Sequence, residues 1–145
     1  LIAETGGQNA MIVDSSALPE QVVQDVLASG FDSAGQRCSA LRVLCLQRDI
    51  AGRTLGMLKE AMHELVVGDP AELATDVGPV IDAEARANLL AHIERMRAAG
   101  RPVFQRPLPA ACAAGCFVPP TLIEIGAVAE LTREVFGPVV HVLAY

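Results

Sequence analysis

The sequence has 145 residues, of which 52% are hydrophobic, and its eleven basic and seventeen acidic residues give a net charge of −6. This acidic balance disfavours nucleic-acid phosphates and anionic membrane surfaces as partners. Charges, glycines or prolines interrupt every apolar run before the roughly 18 residues of a spanning helix. We therefore expect one soluble domain with no nucleic-acid partner and no membrane segment.

Two short apolar segments predict buried strands, and a helical pattern separates them. The strands are centred on residues 11–13 and 41–46, and both are too compact for helices. Between them, Pro19 suits a first helical position, and apolar residues then recur every four positions as far as Phe31. This order predicts a strand, a helix and a second strand.

Two further helices are predicted after the second strand. Asp49 is expected to cap the first of them, and Gly68 and Pro70 are expected to end it. Asp82 is expected to cap the next helix, which stops at Gly100.

The remainder of the chain alternates between extended segments and a loop. Residues 102–104 are predicted to be extended, residues 107–115 to form a loop, and residues 117–125 to form a strand whose proline pair makes its first half an edge or an extended arm. The apolar run of residues 139–145 predicts a last strand. Strands that alternate with helices predict an α/β fold of three layers, a mostly parallel sheet with helices on both faces.

Three short motifs each precede a predicted strand. They are ETGGQN at residues 4–9, GQRCSA at residues 35–40 and EVFGP at residues 134–138. Because α/β folds present ligands on loops at the carboxyl ends of parallel strands, motifs at strand ends suit binding or catalysis.

Cys38 is the candidate nucleophile. Its loop of small residues exposes the thiol, and the neighbouring Arg37 favours the thiolate, which is the form that attacks. The residues alone leave open that Cys38 is only a small buried hydrophobic side chain, as we expect for Cys45 inside its strand.

Two carboxylates are further candidates. Glu4 precedes Gly6 and Gly7, which let the backbone approach a ligand closely and place a general base at the lip of a strand, although a solvated side chain in a turn is the alternative. Glu134 can accept hydrogen bonds from vicinal ribose hydroxyls while Phe136 offers an apolar face to a ring. A simple Gly-Pro turn explains the same letters.

Taken together, the order and spacing of the three motifs resemble the aldehyde dehydrogenase family over nearly the whole chain. In that family the Glu of the Glu-x-Gly-Gly motif activates the hydrolytic water, and the Cys of the Gly-Gln-x-Cys motif attacks the aldehyde. The resemblance assigns these roles to Glu4 and Cys38. The family's Glu-x-Phe-Gly-Pro motif holds the nicotinamide ribose and ring, which implies cofactor-binding roles for Glu134 and Phe136.

The same resemblance places the backbone of Thr5 and Gly6 near the nicotinamide carboxamide. Stretches such as ETGGQNAMIVDSSALPEQVV and GQRCSALRVL look most like the L-glutamate γ-semialdehyde (pyrroline-5-carboxylate) dehydrogenase modules of bacterial bifunctional proline-utilisation proteins. This implies a small-molecule aldehyde substrate, NAD as the oxidant, a homo-oligomer, and FAD in a separate proline dehydrogenase domain where one is fused. Ser39 matches the position whose hydroxyl helps to anchor the substrate carboxylate.

Some parts of such an enzyme are not recognisable in the sequence. These are the dinucleotide-binding domain, the Asn that completes the oxyanion hole and the substrate-anchor loop. We expect residues 1–145 to be a partial catalytic domain of a longer polypeptide, since the chain begins without Met and ends within an apolar run. Two alternatives stay open: the isolated chain is a non-catalytic module that self-associates through its sheet edges, or the substrate is another acid semialdehyde.

The remaining histidines and cysteines do not have the spacing of a metal site, so we predict no metal and structural roles for His63, His92 and His141. Cys112 and Cys116 lie in a loop composition that disfavours a helix. Neither a dense disulfide pattern nor a CxxC pair is present, which indicates a reducing, cytoplasmic compartment.

Overall fold

The computed structural model describes residues 1–2 and 6–145 of the chain. These residues form three α-helices, five strands and short 3₁₀ segments. In chain order the α-helices and strands are β1 (Asn9–Val13), α1 (Pro19–Phe31), β2 (Leu41–Leu46), α2 (Arg48–Glu64), α3 (Ala83–Ala98), β3 (Val103–Gln105), β4 (Thr121–Ile125) and β5 (Val139–Ala144).

The five strands form one sheet in the order β1-β2-β5-β4-β3, in which only β3 runs antiparallel to its neighbour. Asn9 pairs with Leu41, and Val139 pairs with Thr121, so the first residues of the four parallel strands lie along one edge. The mostly parallel sheet expected from the sequence is confirmed.

Helices cover both faces of this sheet. Gly30 of α1 lies so close to Val140 of β5 that an added Cβ would come within 2.6 Å of the valine side chain. The next residue of β5, His141, bonds to His92 of α3, and consecutive strand residues point to opposite faces. α2 packs beside α1. The three-layer prediction is therefore confirmed, and within the described residues no helix is long and apolar enough to span a membrane.

Of the two predicted helix caps, one is confirmed and one is wrong. Asp82 caps α3 as expected, and its carboxylate accepts the backbone N–H of Ala85 at 2.7 Å. Asp49 is not the cap of α2, because Gln47 holds that position and Asp49 lies in the first turn. The Gln47 N–H donates to the Val13 carbonyl at 2.9 Å, so the chain passes from sheet bonding directly into the helix.

α2 also ends earlier than the glycine and proline signals suggested. Its last residue is Glu64, and the chain then extends so that Val67 forms an isolated bridge with Val77. The N–H of Val66 donates to the Asp76 carboxylate at 2.7 Å. Pairing with this downstream segment therefore ends the helix before Gly68 is reached.

Candidate active site

The three motifs meet at the amino-terminal edge of the parallel strands. Each motif precedes its strand, and the strands that follow them begin at Asn9, Leu41 and Val139. The expectation of a site at the carboxyl ends of the strands is therefore wrong for this chain, because parallel strands that all enter the sheet after a motif bring the motifs together at the opposite edge.

Cys38 lies at the tip of a tight turn. The N–H of Ala40 donates to the Arg37 carbonyl at 3.0 Å, which closes the turn and leaves Cys38 and Ser39 as its two exposed central residues. The Asn9 side chain donates to the carbonyls of Cys38 at 2.7 Å and Ala40 at 2.9 Å. The first motif thus holds the turn of the second, and the thiol faces outward.

The backbone that leads into this turn adopts an unusual conformation. Ser33, Ala34 and Gly35 have φ values of 55°, 52° and 64°, so three consecutive residues are left-handed. Left-handed backbone costs a non-glycine L residue about 1–2 kcal/mol. A Cβ at Gly35 would collide with the carbonyl of Gly137. This close approach joins the second motif to the third.

Arg37 does not adopt the position expected of a thiolate-stabilising neighbour. Its guanidinium Nη2 donates to the Ala28 carbonyl of α1 at 3.1 Å and lies 3.9 Å from the Asp32 carboxylate. Adjacency along the chain therefore does not direct this cation to the sulfur, because consecutive residues of a turn point in different directions.

Glu134 connects the third motif to the first. One carboxylate oxygen accepts the N–H of Gly7 at 3.0 Å, and a Cβ at Gly6 would collide with the same oxygen. Glycine at position 6 is therefore required for this close approach. Glu4 and Thr5, predicted as general base and cofactor contact, lie outside the described residues.

The other oxygen of Glu134 pairs with Arg42. The Arg42 Nε lies 3.1 Å from Oε1, and the guanidinium is fully buried. Burial lowers the pKa of Arg42, while the bond to Glu134 and its negative charge oppose this effect. A buried cation with a carboxylate partner keeps its charge far more readily than an isolated one.

A cavity of about 270 Å³ opens beside Glu134 and Phe136. Apolar side chains and a few polar groups share its wall, which is a composition typical of ligand pockets. The ring of Phe136 is 42% exposed and stands 5.0 Å from the Arg42 Cζ. The lining of this cavity also includes Gln36, Ile81, Ala85, Asn88, Leu89, His92, Arg133 and Val135.

Ser39 faces a different, shallower cavity of about 430 Å³ on the α1 side. Asp25, Asp32 and Arg37 contribute the charged groups of its wall. Arg37 and Ser39 of the turn line this cavity, Gln36 just before the turn lines the cavity beside Glu134, and Cys38 lines neither.

Two histidines that the sequence left without partners form a buried pair. His92 Nε2 lies 2.8 Å from His141 Nε2. Because a carbonyl only accepts, His141 Nδ1–H donates to the Arg42 carbonyl at 3.2 Å, which leaves its Nε2 to accept from His92. The remaining nitrogen of His92 accepts from Arg95 at 2.7 Å. Burial lowers the pKa of both histidines to about 4, so each is neutral at pH 7.

The other cysteines lie in more enclosed positions than Cys38. Cys112 is buried and Cys45 is partly buried in β2, where burial raises the pKa of its thiol. In the described part of the chain, no group of three His, Cys, Asp or Glu side chains is arranged to hold a metal.

Sequence reasoning missed Asn9, Arg42 and the histidine pair. Arg42 interrupts an otherwise apolar strand, and His92 shares the core-facing spacing of Leu89 and Met96 in α3. A charged or polar residue at a position that the periodicity predicts to be buried needs a partner. That signal was present, although the partners could not be read from it.

Comparison with known proteins places this geometry among related chains. A model described as the aldehyde dehydrogenase family matches residues 1–145. The bifunctional protein PutA of Salmonella typhimurium is 66% identical over 100% of this chain, which spans 11% of that protein. The 1-pyrroline-5-carboxylate dehydrogenase of Geobacillus kaustophilus is 37% identical over 97% of the chain, which corresponds to 27% of its length.

A solved structure with the same fold is betaine aldehyde dehydrogenase from Staphylococcus aureus in complex with NAD⁺. It superposes with a TM-score of 0.92 at 30% identity and covers 98% of this chain and 30% of that chain. The chain therefore spans about a tenth to a third of the relatives that it matches.

Proposed function

The chain belongs to the aldehyde dehydrogenase family, and from this membership we propose that it carries the nucleophile and cofactor-ribose contacts of an enzyme that oxidises L-glutamate γ-semialdehyde to glutamate. The observation that carries the proposal is the gathering of three motifs at one sheet edge, where Asn9 bonds to the Cys38 turn and Gly7 bonds to Glu134. Similarity to PutA and to a 1-pyrroline-5-carboxylate dehydrogenase supports this choice of substrate.

Cys38 is the proposed nucleophile. Its exposed position at the tip of the turn lets the thiolate sulfur bond to the aldehyde carbon, and the carbonyl oxygen becomes the alkoxide of a thiohemiacetal. The Cys38 backbone N–H can donate to that oxyanion. Loss of hydride from the same carbon converts the adduct into a thioester, which keeps the sulfur–carbon bond.

The residues beside the cavity next to Glu134 and Phe136 fit the nicotinamide ribose end of NAD. Each oxygen of Glu134 accepts one hydrogen bond within the protein, and a carboxylate oxygen can accept a second from a ribose hydroxyl. Phe136 offers a half-exposed ring to the base. NAD, when bound, accepts the hydride that leaves the aldehyde carbon.

Glu4 is the proposed general base for the second half of the reaction, and the backbone of Thr5 and Gly6 is proposed to contact the cofactor. The Glu4 carboxylate removes a proton from water, whose oxygen attacks the thioester carbon and releases glutamate and the Cys38 thiol. Gly7 of the same motif is held by Glu134, which supports placing the base close to the nucleophile.

Ser39 is the proposed anchor for the carboxylate of the substrate, and its exposed hydroxyl faces the second cavity. Arg37 is the positive group of that wall, which also contains Asp25 and Asp32. An enzyme for another acid semialdehyde would use the same hydroxyl. The carbon-chain length of the preferred substrate therefore distinguishes glutamate semialdehyde from another acid semialdehyde. The bifunctional name of PutA favours a second activity in the same polypeptide, for which the resemblance implies FAD in a fused domain.

The test uses the full-length enzyme that contains this segment. Rapid mixing with NAD and glutamate semialdehyde should give a burst of NADH, and Cys38→Ala should abolish it because the thiohemiacetal cannot form. Cys116→Ala, a matched removal of a thiol in a loop outside the site, should retain the burst. A normal burst in Cys38→Ala would refute the assignment, and a higher kcat/KM for a shorter or longer acid semialdehyde would replace the substrate.

A specific observation favours self-association of the isolated 145-residue chain. β1 is an edge strand, and its unpaired edge is a template for pairing with another copy. Ile12 on this strand is 74% exposed and adds apolar surface. Light scattering should detect oligomers of the isolated chain. A compact monomer at high concentration would remove this alternative.

A further inference from the structure

The side chain of Arg42 contacts both the loop of the second motif and the loop of the third motif. Its Nη1 donates to the Gly35 carbonyl at 2.6 Å and to the Gly137 carbonyl at 3.3 Å. Its Nη2 donates to the Arg37 carbonyl at 3.1 Å, and its Nε pairs with Glu134. The guanidinium fork thus satisfies four acceptors from two different loops.

These acceptors have different tasks in the proposed reaction. The carbonyls of Gly35 and Arg37 belong to the loop that presents Cys38, and Arg37 closes the turn itself. The carboxylate of Glu134 belongs to the cavity beside Phe136 and also holds Gly7. A rotation of the guanidinium would therefore disturb the nucleophile loop and the ribose contact together.

The position of Arg42 is itself fixed from both sides. Its backbone carbonyl accepts the Nδ1–H of His141, and its side chain is fully buried with the Phe136 ring 5.0 Å from Cζ. A planar fork with five donors in fixed directions can hold several carbonyls and a carboxylate at once, whereas an ammonium group is a compact point charge. The geometry demands arginine in particular.

We propose that Arg42 is a positioning residue that couples the orientation of the Cys38 turn to that of the Glu134 carboxylate. The proposal rests on the proposed function for its kinetic consequences, but its structural consequence does not depend on activity. Arg42 touches neither of the reacting carbon and sulfur atoms. It acts through Glu134 on cofactor affinity and through the Arg37 carbonyl on the turn.

The kinetic test uses Arg42→Lys in the full-length enzyme, with Arg106→Lys as the matched control. Arg106 is another partly buried arginine that donates to backbone carbonyls, those of Leu65 and Pro107, but it lies outside the site. Arg42→Lys should raise the KM for NAD tenfold or more with a smaller change in the KM for the aldehyde. A purely structural role would instead lower the amount of active enzyme and leave both KM values unchanged.

The coupling itself is tested by hydrogen exchange and needs no activity. Glu134→Gln should speed amide exchange in residues 35–40, which it does not contact directly, because Arg42 transmits the change. The same substitution should add little exchange when Arg42→Lys is already present. Exchange within α2, which contributes no residue to the cavity beside Glu134, should stay unchanged in every variant.

Two results would overturn the proposal: a folded Arg42→Lys enzyme with an unchanged KM for NAD, or additive effects of the two substitutions on exchange. If Arg42→Lys fails to fold, Arg42→Met combined with Glu134→Gln decides instead, since it removes both members of the ion pair together. It should show fast exchange in residues 35–40, and wild-type exchange there would overturn the proposal. A wild-type enzyme without dehydrogenase activity would refute the proposed function alone. The hydrogen-exchange experiment would then still test the coupling, because it does not depend on activity.

Discussion

At the scale of single residues, we propose that Cys38 and Glu4 serve separate steps. Cys38 is exposed at the tip of a turn held by Asn9 and closed by the Arg37 carbonyl. That turn leaves Cys38 exposed. The assignment of Glu4 comes from its motif, whose second glycine is bonded to Glu134.

Glu4→Gln in the full-length enzyme should preserve the NADH burst and slow the steady state. The amide cannot take a proton from water, so hydrolysis of the thioester loses general-base assistance, which is typically worth ~10²–10⁴ in rate. This corresponds to roughly 3–5 kcal/mol. Rapid-mixing absorbance measures both phases, with Glu20→Gln on the exposed first turn of α1 as the control. Loss of the burst in Glu4→Gln would instead place Glu4 before hydride transfer.

Residue identity suggested candidates for the chemistry but did not predict their contacts. Cys38, Glu134 and Phe136 could be selected because their motifs have a recognisable order and spacing. The bond between Arg42 and Glu134 spans 92 positions in the chain, and no local pattern encodes which carboxylate a buried arginine will meet. Arg37 shows the converse: Cys38 follows it in the sequence, but its guanidinium bonds to the Ala28 carbonyl.

At the scale of elements, the hydrophobic periodicity predicted each α-helix, whereas the ends depended on tertiary bonds. The short 3₁₀ helix Ala110–Ala114 lies in the segment predicted to be a loop. Asp82 caps α3 through a local bond that the sequence predicts. Asp49 fails as a cap because β2 continues its sheet bonding through Gln47. The edge of the sheet that holds the site was also mistaken, since the rule for carboxyl ends does not apply to motifs that precede their strands.

Replacing the two aspartates by alanine tests this distinction. Asp82→Ala removes a bond to the N–H of Ala85 and should lower the free energy of unfolding by about 1 kcal/mol. Asp49→Ala removes only a favourable charge near the start of α2 and should cost about 0.3–0.5 kcal/mol. Urea unfolding monitored by circular dichroism measures both. An equal or greater loss in Asp49→Ala would mean that Asp49 caps α2 after all.

At the scale of the whole molecule, a polar chain runs through the layers. Arg95 on α3 donates to His92, His92 donates to His141 of β5, and His141 donates to the carbonyl of Arg42 on β2. Each bond requires one particular neutral tautomer. The helix on one face is thereby joined to the strand that carries the buried arginine.

The two histidines of this hydrogen-bonded chain make the free energy of unfolding depend on pH. Burial lowers the pKa of His92 and of His141 to about 4, and repulsion from His141 and nearby arginines adds to the effect at His92. An unfolded histidine has a pKa near 6.5, so the unfolded state binds more protons between these values. The stabilisation is therefore fully present above about pH 6.5 and is lost as the pH falls towards 4.

Unfolding free energies measured across that range should fall by a few kcal/mol in the wild-type protein. The double variant His92→Gln/His141→Gln should show a flatter profile between pH 6.5 and 4.5, because glutamine does not titrate. The lowered pKa values of Asp14 and Glu130 act on stability only at lower pH. An identical slope in both proteins would show that the pair is not the titrating unit.

We propose that aldehyde oxidation passes through a thioester on Cys38. The most direct test mixes full-length Glu4→Gln enzyme with NAD and glutamate semialdehyde, quenches the reaction with acid after the burst, and maps the peptides by mass spectrometry. Because hydrolysis is slowed, a glutamyl group should be found on the peptide that contains Cys38, in an amount close to the number of NADH molecules formed in the burst. An acyl group on Cys45, Cys112 or Cys116, or a full burst of NADH with no covalent adduct, would contradict the account.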